Sequence, residues 1–189
     1  MDIKRSEEAI RRLDEAYFRR RAEGFAELDE LRDFSEIEEP IKSLLIEAYY
    51  CYTYIFYAGC ILLSATALEL TLKTMLSGEN SEYSKHNLSC LIELAKERGI
   101  ITKQQATQGH EIRKFRNVYV HYDVERLGKM AGNENIPIVP EEGEDMWVMK
   151  EMVKQFQLEE ATRKHALKCV TKSYELIKDM YVRKGKAGK

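Results

Sequence analysis

The stretch FRNVYVHYD, residues 115–123, holds three side chains suited to phosphate chemistry. Arg116 is a permanent cation whose planar fork matches phosphate oxygens. The imidazole of His121 can take up or release a proton near neutral pH. The Asn117 amide can orient either group. At about 100° per residue, Asn117 and His121 stack one turn apart on a helix, and Arg116 lies about 140° from His121. Arg113, Lys114 and His110 share the polar side. Ile112, Phe115, Val118, Tyr119 and Tyr122 form the apolar side, which should pack inward. Val120 falls among the polar residues, where a monomer would rather carry a charge.

A single Arg/His pair supplies one imidazole. Phosphoryl transfer uses a proton acceptor and a proton donor, with a cation to stabilise the charged transition state. No carboxylate cluster stands at the motif to bind Mg²⁺, and no cofactor is expected. Glu69, the first carboxylate after a long uncharged run, either pairs with Lys73 one turn on or orients Arg116 or His121. Glu47 is a weaker candidate for the same role. His110 is expected to be solvated or to touch RNA, and His86 and His165 to be structural.

The elements that must hold these residues are helical. Apolar spacing predicts a first helix over about 6–33 with Ser6 as N-cap. A long apolar helix is predicted over about 40–76 and a short one over 87–99, capped by Asn87 and stopped by Gly99. The motif helix should span about 102–124, and a last helix should begin between 145 and 159 and fray into the basic tail 183–189. Residues 125–145 hold Gly128, Gly132, Pro137, Pro140 and Gly143 and read as a loop. Within and after it, 136–140 could pair with 146–150 as a minor hairpin. No segment shows sustained strand alternation. The fold class is therefore all-α, a single-domain bundle of about five main helices with its core over about 40–182 and an N-terminal helix over 1–39.

The chain has 189 residues, a formal charge of −2 and 33% charged residues. This balance gives no global attraction to nucleic acid, so a polyanion site must be a local patch. Arg11, Arg12, Arg19, Arg20 and Arg21 form one such cluster on the first helix, read either as a solvated face or as an RNA-backbone contact. Cys51, Cys60, Cys90 and Cys169 have no metal-ligand spacing and read as reduced core thiols of a cytoplasmic protein. Residues 48–68 carry no charge, yet their five tyrosines and the continuing Glu69 and Lys73 favour a buried helix over a membrane span.

The order of helices, with ATALELTLKTML, NLSCLIELAKERGI and EIRKFRNVYVHYD in turn, resembles the HEPN superfamily over about residues 40–180. Members are helical bundles with a motif of arginine, four to six residues, then histidine. The position after the arginine is commonly polar, and RNVYVH fits with Arg116, Asn117 and His121. The resemblance implies a metal-independent endoribonuclease, toxin-like or defence-like, acting on single-stranded RNA. It implies Arg116, His121 and Asn117 as site residues, with Glu69, Arg113 and Lys114 in support. It also implies a homodimer in which two motifs face each other, and an antitoxin or nucleotidyltransferase-like partner. One toxin subgroup carries a modifiable tyrosine two residues after the histidine. Here Asp123 stands there, with Tyr122 adjacent, which argues against that pairing. The alternative is a non-catalytic HEPN module that binds RNA, a nucleotide or a partner protein.

Overall fold

The computed structural model describes residues 3–31, 33–77, 83, 85–121 and 145–187. Among the described residues there are six α-helices: α1 (Ile3–Glu27), α2 (Glu39–Thr53), α3 (Tyr57–Ser77), α4 (Leu88–Glu97), α5 (Lys103–Val120) and α6 (Asp145–Ala187). A 3-10 turn, Asp29–Leu31, follows α1. No strand occurs among the described residues. Residues 146–150 lie in the first turns of α6, so the expected hairpin does not form. Their apolar residues and lysine suit a helix that runs on into KEMVKQF, and the other half, 136–140, lies outside the described residues.

The long helix expected over 40–76 is two helices. α2 ends in a Schellman motif: the Ile55 amide donates to the Tyr52 carbonyl at 3.1 Å and the Phe56 amide to the Cys51 carbonyl at 2.7 Å. This places Ile55 at φ 69°, the left-handed region that a β-branched side chain enters only at a cost. The half-buried Ile55 side chain packs against the core and offsets part of that cost. The uncharged run 48–68 is therefore not one continuous helix. α3 by itself is long and apolar enough to cross a membrane by length and composition, but half of its most apolar stretch is buried within the bundle.

α3 is the central element and packs against α2, α4, α5 and α6. Its buried residues, among them Cys60, Ile61, Ala65, Leu68, Leu72 and Leu76, cover more than one face, as a surrounded helix requires. Ala65 and Ala67 let neighbours approach closely, and the buried Thr71 hydroxyl donates to the Ala67 carbonyl at 2.8 Å. α1 attaches near its C-terminal end. Leu28 is fully buried, Gly24 lies against Tyr52 and Thr53, and the Tyr52 hydroxyl donates to Glu27 at 2.5 Å. α1 begins at Ile3, so Ser6 lies inside the helix and is not its cap. Ile3, Lys4 and Arg5 contain no helix breaker. At the other end, Lys184 pairs with Glu38 and Arg183 with Asp179, and α6 continues as helix into the basic tail.

α4 and α5 begin as the sequence requires. Asn87 accepts from the Cys90 amide at 3.0 Å. Thr102 and Gln105 form a reciprocal capping box. α4 stops at Gly99, at φ 71°, where the Ile100 amide reaches back to the Ala95 carbonyl at 2.9 Å. The motif helix is thus fixed at its start, and Gln105 also donates to Asp179 of α6 at 2.6 Å.

Candidate active site

α5 buries Ile112, Phe115 and Val118, the inward side that the helical wheel requires, and half-buries Tyr119. The polar side then faces outward or toward α3. Tyr122 and Asp123 lie outside the described residues. His121 is the C-cap residue of α5, so the helix ends earlier than the expected 124. Its amide donates to the Asn117 carbonyl at 3.1 Å, and its side chain is exposed.

The Arg116 guanidinium donates to Glu69 Oε2 at 2.8 Å, and Lys73 Nζ donates to Glu69 Oε1 at 2.8 Å. Glu69 thus does both things considered for it. It is only 19% exposed and holds two cations, one on each carboxylate oxygen. Arg116, one-third exposed, keeps part of its donor fork open. Glu69 therefore fixes the guanidinium on one side while leaving it able to receive a phosphate oxygen on the other.

The structure does not join every member of the motif. Among the described residues, no hydrogen bond or ion pair links the His121 or Asn117 side chains to Arg116. The link between Asn117 and His121 is through the backbone alone. Lys114 is exposed, and Arg113 is half-buried with a buried Nε that has no hydrogen-bond partner. Glu47 is exposed on α2, and among the described residues no hydrogen bond or ion pair joins it to the motif. His110 departs from expectation: its Nε2 lies 2.6 Å from Glu93 of α4, half-buried, so its ring is committed to packing α5 on α4. Cys60 and Cys169 are buried free thiols, but Cys51 is half-buried and Cys90 exposed on α4, so only two of the four are core residues. No group of three His, Cys, Asp or Glu side chains among the described residues is arranged to hold a metal ion.

A face beside Arg116 remains uncovered. Along α3, Leu62 and Leu70 are half-buried and Thr66 is exposed, on the same stripe as Glu69 and Lys73. Val120, one turn beyond Arg116, is 52% exposed. The Arg116–Glu69 pair thus has two half-buried leucines of α3 and one exposed valine of α5 near it on those helices.

Contacts with α6 fix which end of the bundle carries His121. Tyr119 lies 3.2 Å from His165 Nδ1, and Phe115 stacks on the same ring with centroids 4.4 Å apart. Cys60, near the start of α3, donates to the carbonyl of Ala166, the next residue. The C-terminus of α5 and the N-terminus of α3 therefore lie at one end of the bundle.

His165 is structural, as expected. Burial, aided by the Lys168 cation, holds its imidazole below the ordinary value. The unfolded chain takes up that proton near pH ~6.5, while the folded chain resists it. Acidification below about pH 6.5 therefore favours unfolding until the folded-state value is passed. The melting temperature is expected to fall between about pH 7 and pH 5, and to fall less in His165→Gln. Thermal denaturation of both proteins across that range checks this.

No known protein family, curated protein or solved structure matches the chain.

Proposed function

We propose that the protein is a metal-independent endoribonuclease of HEPN type, toxin-like or defence-like, that cleaves single-stranded RNA in a site shared by two copies of the chain. The observation that carries this reading is Arg116, clamped by Glu69 with part of its fork free, five residues before an exposed His121 at the end of the same helix. In the reaction, one His121 accepts the 2′-hydroxyl proton as that oxygen attacks the adjacent phosphorus. Arg116 stabilises the phosphorane. The 5′-oxygen leaves and takes a proton from the second His121. The products are a 2′,3′-cyclic phosphate and a 5′-hydroxyl. Asn117 orients the imidazole, and Arg113 and Lys114 draw in the phosphate backbone.

The second imidazole comes from a second copy. An isologous contact brings one patch onto itself, doubling Arg116 and His121 without new residues. Exposed Thr66 and Val120, with the half-buried Leu62 and Leu70, supply side chains for such a contact. A stable dimer buries roughly 1,200–2,000 Å² in total. Val120→Glu is expected to shift the dimer toward monomer at micromolar concentration and to lower activity in parallel. Analytical ultracentrifugation reads the first effect and an RNA cleavage assay the second.

The free thiols support a reducing compartment such as the cytoplasm. A neutralising antitoxin is the partner this reading calls for; Asp123, two residues after His121, argues against a tyrosine-modifying nucleotidyltransferase in that role. The second reading, a non-catalytic module binding RNA, a nucleotide or a partner protein, is favoured by one observation: Arg116 is already paired and does not touch His121. Cleavage of generic single-stranded RNA in EDTA by wild type and His121→Ala separates the two. Equal cleavage by both removes the proposed site, and no cleavage by wild type favours the binding module.

A further inference from the structure

The large hydrophobic side chains exposed among the described residues, Val120 apart, are aromatic residues of α1 and of the end of α2 and the turn after it. Arg21 stacks its guanidinium 4.0 Å from the Tyr54 ring centroid and lies 5.8 Å from that of Tyr17. Tyr54 continues to Tyr50 with centroids 6.5 Å apart. Tyr17, Tyr50 and Tyr54 are 40%, 52% and 40% exposed, and Phe56, in the turn after α2, is 67% exposed. The result is a row of flat π faces with a cation stacked inside it. Isolated exposed apolar residues need no explanation, but a connected row of rings does.

The row lies at the same end of the bundle as His121. Thr162 of α6 borders the groove at the α2–α3 turn together with Phe56, Tyr57 and Gly59. Three residues further along α6, His165 carries Phe115 and Tyr119 of the motif helix. Arg20, beside Arg21, pairs with Glu159 of the same α6 segment. The motif helix and the aromatic row therefore pack against the same segment of α6.

We propose that this row is a stacking track for the bases of the single-stranded RNA that flank the cleaved bond. The inference rests on the ribonuclease reading and extends it to substrate binding. Charge and chemistry favour RNA over a protein partner. The row is embedded in the sequence YFRRR, residues 17–21, with Arg19 exposed beside the rings. Aromatic faces interleaved with arginine accept any base, because every base has a π face. Guanidinium groups add phosphate contacts and further stacking. Two of the carboxylates near the row are paired with arginine, Glu15 with Arg11 at 3.7 Å and Glu159 with Arg20, while Glu47 is exposed on α2. The track would confer single-strand preference, since bases held in a duplex cannot lie on the rings.

The test uses the His121→Ala chain, which holds RNA without cutting it, and a fluorescently labelled oligouridylate read by anisotropy. Tyr17→Ala and Tyr54→Ala are each expected to weaken binding by roughly tenfold, and Tyr17→Phe and Tyr54→Phe to bind as the parent does. Thermal melting of each variant confirms that the fold persists. Unchanged affinity in the alanine variants overturns the track and leaves the ribonuclease reading untouched. So does an alanine variant that dissociates a dimer while binding RNA normally, because the row would then be a protein interface. Ring-dependent binding, together with a wild-type chain that cuts no RNA, would keep the track and remove the ribonuclease reading.

Discussion

Replacing His121 by alanine is expected to lower the rate of single-stranded RNA cleavage by roughly 10²–10⁴-fold, the range that general acid–base groups supply. In a twofold dimer the substitution removes acceptor and donor together, which places the loss toward the upper part of that range. The structure makes the experiment clean. His121 is exposed, its side chain holds no described partner, and its capping hydrogen bond is made by the backbone, which alanine keeps. Stability should therefore move by no more than about 0.5 kcal/mol. Rate measurements together with a melting curve check both halves of the expectation. A large fall in melting temperature would assign the loss of activity to folding instead.

The second large effect is at Arg116. Arg116→Ala removes the cation that faces the phosphorane and is expected to cost roughly 10²–10³-fold in rate. Glu69 is not orphaned by this change, because Lys73 still donates to its other oxygen. The loss of a partly exposed ion pair should then cost stability no more than about 1 kcal/mol. Arg116→Lys tests the geometry separately. Lysine keeps the charge but loses the planar fork that lets one guanidinium grip Glu69 and a phosphate at once. It is expected to remain far below wild type. Near-wild-type activity in Arg116→Lys would reduce the role of Arg116 to that of a point charge. Single-turnover rates at saturating protein measure the chemical step without contribution from binding.

The contrast between two helix ends explains what was legible in the sequence. α4 and α2 both stop in a Schellman motif. At α4 the left-handed position is Gly99, which announces itself, and the boundary is read correctly. At α2 the same position is Ile55, flanked by aromatic and β-branched residues whose helix propensity is only moderately poor. Nothing there signals a turn, so residues 40–76 read as one helix. The break is imposed by packing that no local pattern encodes. The hairpin expectation fails for a related reason: a short apolar run such as MWVMK fits strand and helix equally until the sequence that follows it decides.

The site divides in the same way. The inward set Ile112, Phe115 and Val118 follows from helical periodicity, and the outward exposure of Lys114 and His121 follows with it. Glu69 was visible because a lone carboxylate at the end of an uncharged run needs a reason to be there. Its second partner, Arg116, stands 47 residues away, and only the packing of α3 on α5 identifies it. His110 could not be read from its own helix, since its partner Glu93 belongs to α4. The tyrosines of α2 were visible as tyrosines, but their alignment with Arg21 depends on how α1 crosses that helix.

The most direct measurement of the central claim is an incubation of the purified protein with single-stranded RNA in EDTA, followed by analysis of the new 3′ ends. Wild type is expected to cut the RNA and leave 2′,3′-cyclic phosphate or its hydrolysis product, with no new ends from His121→Ala. Intact RNA after incubation with wild type, or the same ends at the same rate from His121→Ala, would contradict it.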